Sequence, residues 1–141
     1  MNKKIIFKKV IGEDKQKEML FNLLKKRKYN ISHAELPDIK KHNTFVDNHP
    51  YREWFIVSRG KELLGTFYIK FDNSIGINII EQNIENIELI LNFIKKNFSP
   101  NKEVSSMVPA FFYINIASDN SELQDIMNKV NVRKLQISYK I

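Results

Sequence analysis

The chain has 141 residues, a formal net charge of +7 at pH 7 and 43% hydrophobic residues. This length suits one domain, so we expect a single domain over residues 1–141. The absence of cysteine excludes a disulfide framework and a thiolate metal site. No stretch approaches the roughly 20 apolar residues of a membrane helix, and the apolar run after the basic N-terminus is too short for a signal peptide. We therefore expect a cytoplasmic protein with no membrane association.

The positive charge is concentrated near the N-terminus. Residues 1–28 hold ten Lys or Arg and three acidic residues, whereas the rest of the chain holds thirteen of each. The basic segment ends in the run Lys25-Lys26-Arg27-Lys28. Such a segment could attract nucleic acid or the phosphates of a nucleotide-like cofactor. Cations at the end of a helix also complement the helix dipole, so a solvated helix end is the alternative explanation.

The first half of the chain predicts a strand, a helix, a loop and a three-stranded meander. Residues 4–10 alternate loosely and predict a strand, and a helix capped by Asp14 follows to about Lys28. Residues 29–52 are polar and irregular, and a segment of this length is usually functional or contains short helices of its own. The meander strands are predicted over residues 53–58, 63–71 and 75–80, with tight turns at residues 59–61 and 72–74.

The second half predicts alternating helices and strands. In chain order these are a helix capped by Asn83 or Asn86 and ending at Phe98, a buried strand over residues 111–117, a helix from Asp119 or Asn120 to about Val130, and a closing strand over residues 132–140. The helix before residues 111–117 supplies the crossover that parallel strands require. We therefore predict an α/β fold with a mixed, mostly antiparallel sheet and helices on both faces.

Two segments carry a resemblance to a known family. Gly76-Ile77-Asn78-Ile79 is a predicted strand that runs toward a helix N-terminus, and residues 120–132 form a predicted helix with Asn120 at its start and Lys129 near its end. Both resemble the GNAT superfamily of N-acetyltransferases, and the resemblance spans nearly the whole chain. The closing motif of that family ends in Lys-x-Gly-Phe. Here Asn131 replaces the glycine, and Asn also tolerates a left-handed helix terminus.

The resemblance implies a GNAT-like fold, acetyl-CoA as co-substrate and a set of residues that would bind it. Strand residues Ile77, Asn78 and Ile79 would hold the pantetheine arm through their backbone, and Asn120 would contact the same arm. The segment that would face the diphosphate consists of Gln82, Asn83, Ile84, Glu85 and Asn86.

The chain departs from the family pattern at two places. The phosphate loop of the family reads Gln/Arg-x-x-Gly-x-Gly/Ala, and although Gln82 matches, Glu85 and Ile87 stand where small residues belong. A carboxylate at Glu85 would repel a diphosphate at the helix N-terminus by about 1 kcal/mol if it is exposed. The tyrosine that often protonates the departing thiolate corresponds to Met127, which has no proton to donate.

Candidate catalytic residues come from the variable loop and the sheet. Acetyl transfer to an amine is helped by a base with a pKa near neutral, and histidine is the natural choice. The candidates for this role are His33, His42, His49 and Glu53, of which we retain His49 and Glu53. Tyr113 and Ser118 could supply the missing acid. Surface, core and capping roles would also explain each of these residues. No His, Asp or Glu cluster has metal-ligand spacing, so no metal is expected.

The leading hypothesis is an acetyl-CoA-dependent N-acetyltransferase for a primary amine of a small molecule. The segment His42-Asn43-Thr44-Phe45 is similar to a piece found in the branch that acylates nucleotide-linked amino sugars for bacterial surface polysaccharides. The alternative is a non-catalytic domain on the same fold that binds a protein or ligand, which the departures at Glu85 and Met127 favour. Nucleic-acid binding through the basic segment is a third hypothesis. An exposed sheet edge could also pair two copies into a homodimer.

Overall fold

A five-stranded mixed sheet forms the centre of the protein, for which a computed structural model describes residues 3–27 and 36–141. Its strands are β1 (Ile5–Lys9), β2 (Glu53–Arg59), β3 (Glu62–Ile69), β4 (Ser74–Ile79) and β5 (Tyr113–Ile114). The spatial order equals the chain order. Strands β1 to β4 are antiparallel neighbours, whereas β5 runs parallel to β4. The predicted meander and the parallel crossover are therefore confirmed.

Helices flank the sheet. Within the described residues they are α1 (Asp14–Lys26), α2 (Ile39–Asp47), α3 (Ile84–Asn97) and α4 (Ser121–Lys129). Helix α2 lies in the segment predicted to be irregular, and it begins after Asp38, whose carboxylate accepts the Lys41 N–H at 2.8 Å. Asn83 caps α3 and Asn120 caps α4, in agreement with the sequence. No helix in the described ranges is both long and apolar enough to cross a membrane.

The start of α1 differs from the prediction that Asp14 caps it. The helix begins at Asp14, and the cap position is Glu13. The buried side chain of Gln16 reaches back instead: its Oε1 accepts the N–H groups of Ile11 at 2.8 Å and Glu13 at 3.3 Å, and its Nε2 donates to the Lys9 carbonyl at 2.8 Å. One buried side-chain amide thus provides hydrogen-bond partners for the backbone that follows β1 and for the backbone at the start of α1.

Strand alternation gives the sheet two apolar faces, and helices cover both. Trp54 and Ile56 point to one side of β2, and Phe55 and Val57 to the other. The first face packs on α1 and α2, and its core is Val10, Leu20, Leu23, Val46, Trp54 and Ile56. The second face packs on α3 and α4, and its core includes Phe55, Val57, Phe67, Ile69, Ile75, Ile87, Ile90, Ile94, Leu123 and Met127. The prediction of helices on both faces is confirmed.

The C-terminal part of the chain differs most from the prediction. Residues 131–141 are all exposed and belong to no strand, so the predicted closing strand over 132–140 is wrong. The predicted buried strand over 111–117 is reduced to β5, whose two residues are only half-buried. Asn131 does not form a left-handed terminus, because α4 ends in an extended Val130. Alternating apolar residues indicate a preference for a strand. A strand forms, however, only where a neighbouring strand offers hydrogen-bond partners for its backbone groups.

One buried asparagine determines where β5 starts. Asn73 occupies the turn between β3 and β4 with φ at 72°, in the left-handed region. Its Nδ2 donates to the carbonyls of Asn101 at 3.0 Å and Pro109 at 2.7 Å, and its Oδ1 accepts the Asn101 N–H at 2.7 Å. Its own carbonyl accepts the Tyr113 N–H at 3.2 Å. Asn73 therefore ties the long connection after α3 to the first residue of β5.

We expect Asn73→Ala to lower the free energy of unfolding by about 3 kcal/mol, as the loss of several buried hydrogen bonds implies. The substitution leaves buried backbone groups unpaired, and it places alanine in the left-handed region, which alanine tolerates less well than asparagine. Asn73→Gly is the matched control: it loses the same hydrogen bonds but relieves the backbone, and should be about 1 kcal/mol less damaging. Urea unfolding followed by Trp54 fluorescence measures both. A loss below about 1 kcal/mol in both variants would contradict this role for Asn73.

Candidate functional site

The edge of β4 that faces β5 is open over most of its length. The parallel pairing covers Ser74↔Tyr113 and Ile75↔Ile114 and ends there. The Ser74 carbonyl and the Ile80 N–H both bond across to β3, each at 2.9 Å. Because backbone groups alternate along a strand, those of Ile77 and Ile79 point to the opposite, open edge. A short stretch of unpaired strand backbone is thus available for a ligand.

A narrow groove with a volume of about 70 Å³ lies along this edge. Residues 77–80 of the β4 segment form its floor. Its walls are Leu23, Lys26 and Arg27 from the end of α1, and Gln82, Asn120 and Glu122 from the starts of α3 and α4. The structure therefore brings together the strand and Asn120, the two parts of the predicted cofactor site that are far apart in the sequence.

The predicted contacts Gln82 and Asn120 bond to each other in the groove. Gln82 Nε2 donates to Asn120 Oδ1 at 3.0 Å, and Asn120 Nδ2 donates to Gln82 Oε1 at 3.1 Å. Gln82 Nε2 also donates to Glu122 Oε1 at 3.0 Å, and Asn120 Oδ1 accepts the Leu123 N–H at 3.2 Å. The Gln82 and Asn120 side chains therefore orient each other. Each amide both donates and accepts, so a ligand amide could bond to one of them in place of the other without leaving it unpaired.

Two cations from the basic segment lie in the groove. Lys26 and Arg27 line it, and neither forms an ion pair with another described residue. The Arg27 Nε is buried and has no hydrogen-bond partner in the described ranges. A buried N–H without a partner costs about 1–3 kcal/mol, so an acceptor supplied by a ligand would stabilise this atom.

The rest of the described basic segment is dispersed. Lys8 pairs with Glu13 at 3.1 Å, Lys9 with Glu53 at 3.4 Å, and Lys17 with Asp47 at 2.8 Å. These pairs neutralise much of the charge that the sequence placed in one segment. The cations that remain beside a concave surface are those at the end of α1.

The N-terminus of α3 is capped by its own side chains. The Asn83 side chain accepts the Asn86 N–H at 2.8 Å. Ile87 is fully buried in the core. A packed helix turn therefore stands where a glycine loop was considered. Glu85 forms an ion pair with Arg59 Nη2 at 2.9 Å. The carboxylate expected to repel a diphosphate is therefore accompanied by a guanidinium, which lowers that repulsion.

A stacked pair of tyrosines lies beside the start of the open edge. The Tyr68 ring covers Gly76, where any Cβ would overlap it. Tyr51 stacks on Tyr68 with ring centroids 3.9 Å apart and an interplanar angle of 2°. Burial raises the pKa of Tyr51 well above its ordinary value, and Tyr68 adds to the rise. Burial also raises the pKa of Tyr68, against the smaller opposing effects of the neighbouring Tyr51 hydroxyl and the Arg27 charge.

The tyrosine pair was missed as a site by sequence reasoning, which assigned the aromatic residues of the meander to the core. The charge of Arg27, which lines the groove, lowers the pKa of both hydroxyls, but neither tyrosine lines the groove itself. The signal that could have revealed the pair is the glycine opposite Tyr68: residues 68 and 76 face each other in the β3–β4 register.

His49 lies next to this pair. Its Nδ1 accepts the Tyr51 N–H at 3.2 Å, and its ring packs edge-on against Trp54. Burial lowers the pKa of His49, and the positive charge of Lys9 lowers it further, so the ring is neutral at pH 7. The bond from Tyr51 places the single proton of the neutral ring on Nε2 and uses its lone pair. His49 is thus near the tyrosines but already holds a partner.

Glu53 and Tyr113, the other predicted catalytic residues, lie at the far end of β4. Glu53 pairs with Ile69, which pairs with Ile75, and Tyr113 pairs with Ser74. A strand rises about 3.3 Å per residue, so the Ser74 end is about 16 Å from the Ile79 end. Of the predicted cofactor residues, the groove brings together Ile77, Asn78, Ile79, Gln82 and Asn120. The predicted residues Asn83, Ile84, Glu85 and Asn86 do not line it, and neither do Glu53 and Tyr113.

The other candidate residues that the structure describes do not line the groove. His42 is buried with its Nε2 2.9 Å from the Lys17 carbonyl, which joins α2 to α1. Met127 is buried in the core beneath α4, and Ser118 is exposed. His33 lies outside the described residues. In the described parts of the chain, no group of three or more His, Asp or Glu side chains is arranged to hold a metal ion.

Comparison with known proteins identifies a solved structure with a similar fold. No protein-family model matches the chain, and no curated protein matches it significantly. Among solved structures, the chain is similar to a possible acetyltransferase from Clostridium difficile 630, with a TM-score of 0.61 and 9% sequence identity, over 97% of this chain and 95% of that one. At this identity the likeness shows a common fold. The predicted α/β fold, with a mixed, mostly antiparallel sheet and helices, is confirmed.

Proposed function

We propose that the protein is an acetyl-CoA-dependent N-acetyltransferase that acts on a primary amine of a small molecule. The observation that carries this proposal is the open edge of β4 beside a cationic groove. Pantetheine is an extended chain with amide groups, and such a chain can bond to a strand edge as an added strand does. The backbone groups of Ile77 and Ile79 would bind it, and the amides of Gln82 and Asn120 would contact its polar groups.

The charges around the groove suit the rest of the co-substrate. Lys26 and Arg27 at one wall would bind phosphate, and the guanidinium forms the stronger, bidentate contacts. Arg59, at the first turn of α3, would add a third cation next to Glu85. In this proposal cationic side chains replace the glycine loop, whose backbone donors are missing here. The common fold with a possible acetyltransferase supports the same assignment.

The chemistry requires an amine nucleophile and a proton for the thiolate. The amine nitrogen attacks the thioester carbonyl, the C–N bond forms, the C–S bond breaks, and the amine loses a proton while the thiolate gains one. Tyr68 is the proton donor that we assign, because it lies against β4 at Gly76 and its raised pKa keeps the hydroxyl protonated at pH 7. It would take the role that Met127 cannot fill.

The amino-sugar acceptor is a narrower form of this proposal. Its only support is the resemblance of the segment His42-Asn43-Thr44-Phe45, which forms part of α2. There His42 is buried against α1, and Phe45 packs edge-on against Trp54 at 5.9 Å. These contacts explain the segment by packing, so we propose a small-molecule amine without naming the sugar.

Specific contacts favour a second candidate, a non-catalytic domain that uses the same groove for ligand binding. The Gln82–Asn120 pair is satisfied without a ligand, and the α3 N-terminus is capped by Asn83. Met127 lies in the core rather than in the groove. This candidate keeps a ligand site but requires no acetyl transfer.

Calorimetric titration with acetyl-CoA tests the site. We expect Arg27→Gln to weaken binding about tenfold, because a charge-assisted contact to phosphate is worth roughly 1.5–3 kcal/mol, of which Gln retains part. Lys25→Gln is the matched control: it removes the same charge from the same helix end, but Lys25 lies over the Phe21 ring. Absence of binding at millimolar acetyl-CoA would contradict the proposal. Equal weakening in both variants would contradict the role of Arg27.

Release of free thiol in the presence of a panel of small amines tests the chemistry. We expect Tyr68→Phe to lower kcat about 100-fold with little change in KM, because a positioned general acid typically contributes 10²–10⁴-fold. The phenylalanine retains the stacking on Tyr51. Tyr113→Phe, which removes the hydroxyl predicted from the sequence, should leave kcat unchanged. A normal kcat for Tyr68→Phe would contradict the assignment, and acetyl-CoA binding without turnover of any amine would support the non-catalytic domain.

A further inference from the structure

The C-terminal segment, residues 131–141, has the alternating sequence of an amphipathic strand but forms no strand and has no strand neighbour in the described chain. It follows the extended Val130, and all of its residues are exposed. Apolar side chains recur at every second position, as Leu135, Ile137, Tyr139 and Ile141. The exposed fraction is 68% at Ile137 and 86% at Tyr139. Such alternation is typical of a strand with one buried face, so an uncovered face of this kind indicates an interaction surface.

The outer edge of β5 is the corresponding gap in the sheet. β5 is the last strand of the sheet, and β4 is its neighbour on the other side. Residues 111–117 have the composition of a buried strand, yet Phe111 is exposed, and Phe112, Ile114 and Ile116 are only partly buried against the core. Two strands predicted from the sequence are therefore incomplete. The strand over residues 111–117 is formed only at β5 and lacks an outer neighbour, and the strand over residues 132–140 is not formed and has no neighbour.

We propose that two copies of the chain exchange their C-terminal segments. Residues 132–141 of one copy pair with the outer edge of β5 in the second copy, and the second copy returns the same contact. In this arrangement Leu135, Ile137 and Tyr139 continue the sheet face formed by Phe112, Ile114 and Ile116. The reciprocal contact closes with two-fold symmetry, so both open edges are satisfied at once.

The chain itself indicates why the partner is a second copy. Both halves of the contact, an unpaired segment with strand alternation and an unpaired sheet edge, occur in the same sequence, so any dimer contains two matched sets. Within one chain the segment does not join its own β5, although no described strand pairs with that edge. The opposite face of the segment carries Lys134, Gln136, Ser138 and Lys140, which suits a face that stays in water.

Sedimentation velocity of the full chain over a range of micromolar concentrations tests the proposal. We expect a dimer in reversible exchange with monomer. Ile137→Asp should raise the dimer dissociation constant at least about tenfold, because it places a charge on the apolar face. Ser138→Asp, on the opposite face, is the matched control and should change it little. Both positions are exposed in the single chain, so folding is retained, which Trp54 fluorescence checks.

Hydrogen exchange distinguishes the remaining arrangements. In the proposed dimer, protection of residues 111–117 and 133–140 rises together with protein concentration. A monomer at all concentrations would overturn the proposal, as would a dimer that Ile137→Asp leaves intact. Protection of the segment that does not depend on concentration would show that it folds onto its own β5, which also overturns it. None of these outcomes depends on acetyl-CoA binding.

Discussion

Backbone groups at the edge of a sheet must find partners, and the divergence of β4 and β5 leaves such groups open inside this fold. The parallel pairing stops after Ile75, while the antiparallel pairing with β3 continues to Ile79. The consequence is a short unpaired edge in the middle of the sheet rather than at its margin. The groove, its cations and its amide pair are all arranged around this edge.

Two buried polar residues maintain this geometry. Asn73 joins the β3–β4 turn to the chain that leads into β5, so it determines where the parallel pairing begins. Asn120 caps α4 and bonds to Gln82, so it determines how closely the starts of α3 and α4 approach. Each makes three or more hydrogen bonds of different kinds, which no apolar residue could replace.

The electrostatics of the site follow from short-range pairing. Lysines 8, 9 and 17 are matched by carboxylates near them, whereas Lys26 and Arg27 face the groove. Glu85, which looks unfavourable in the sequence alone, is matched by Arg59 from the end of β2. A net charge of +7 therefore becomes a local preference for anions at the end of α1.

The sequence predicted those parts of the fold that local pattern determines. Alternation in the meander and helical spacing around Ile87 and Ile90 defined the strands, the faces and the crossover correctly, and Asn83 and Asn120 were recognisable as caps. The C-terminal strand was also predicted but is not formed in the chain, because pairing depends on a neighbour that local pattern does not specify.

The candidate site was less predictable, for the same reason. Residues 77–79 and Asn120 could be named because a family resemblance marked them. Tyr68 was not recognised, because its signal is the absence of a side chain at Gly76, and that signal is visible only once the β3–β4 register is known. Glu53 and Tyr113 were chosen by residue type, and the strand register places them at the other end of β4.

In the proposed function, the open edge of β4 binds the extended amide chain of coenzyme A. Amide hydrogen exchange, resolved by residue with and without coenzyme A, measures this binding. We expect the Ile77 and Ile79 amides to become protected when coenzyme A is added, while the Asn78 amide, which already bonds to β3, changes little. If coenzyme A binds without any change at Ile77 and Ile79, the ligand lies elsewhere on the protein and the open edge is not its site.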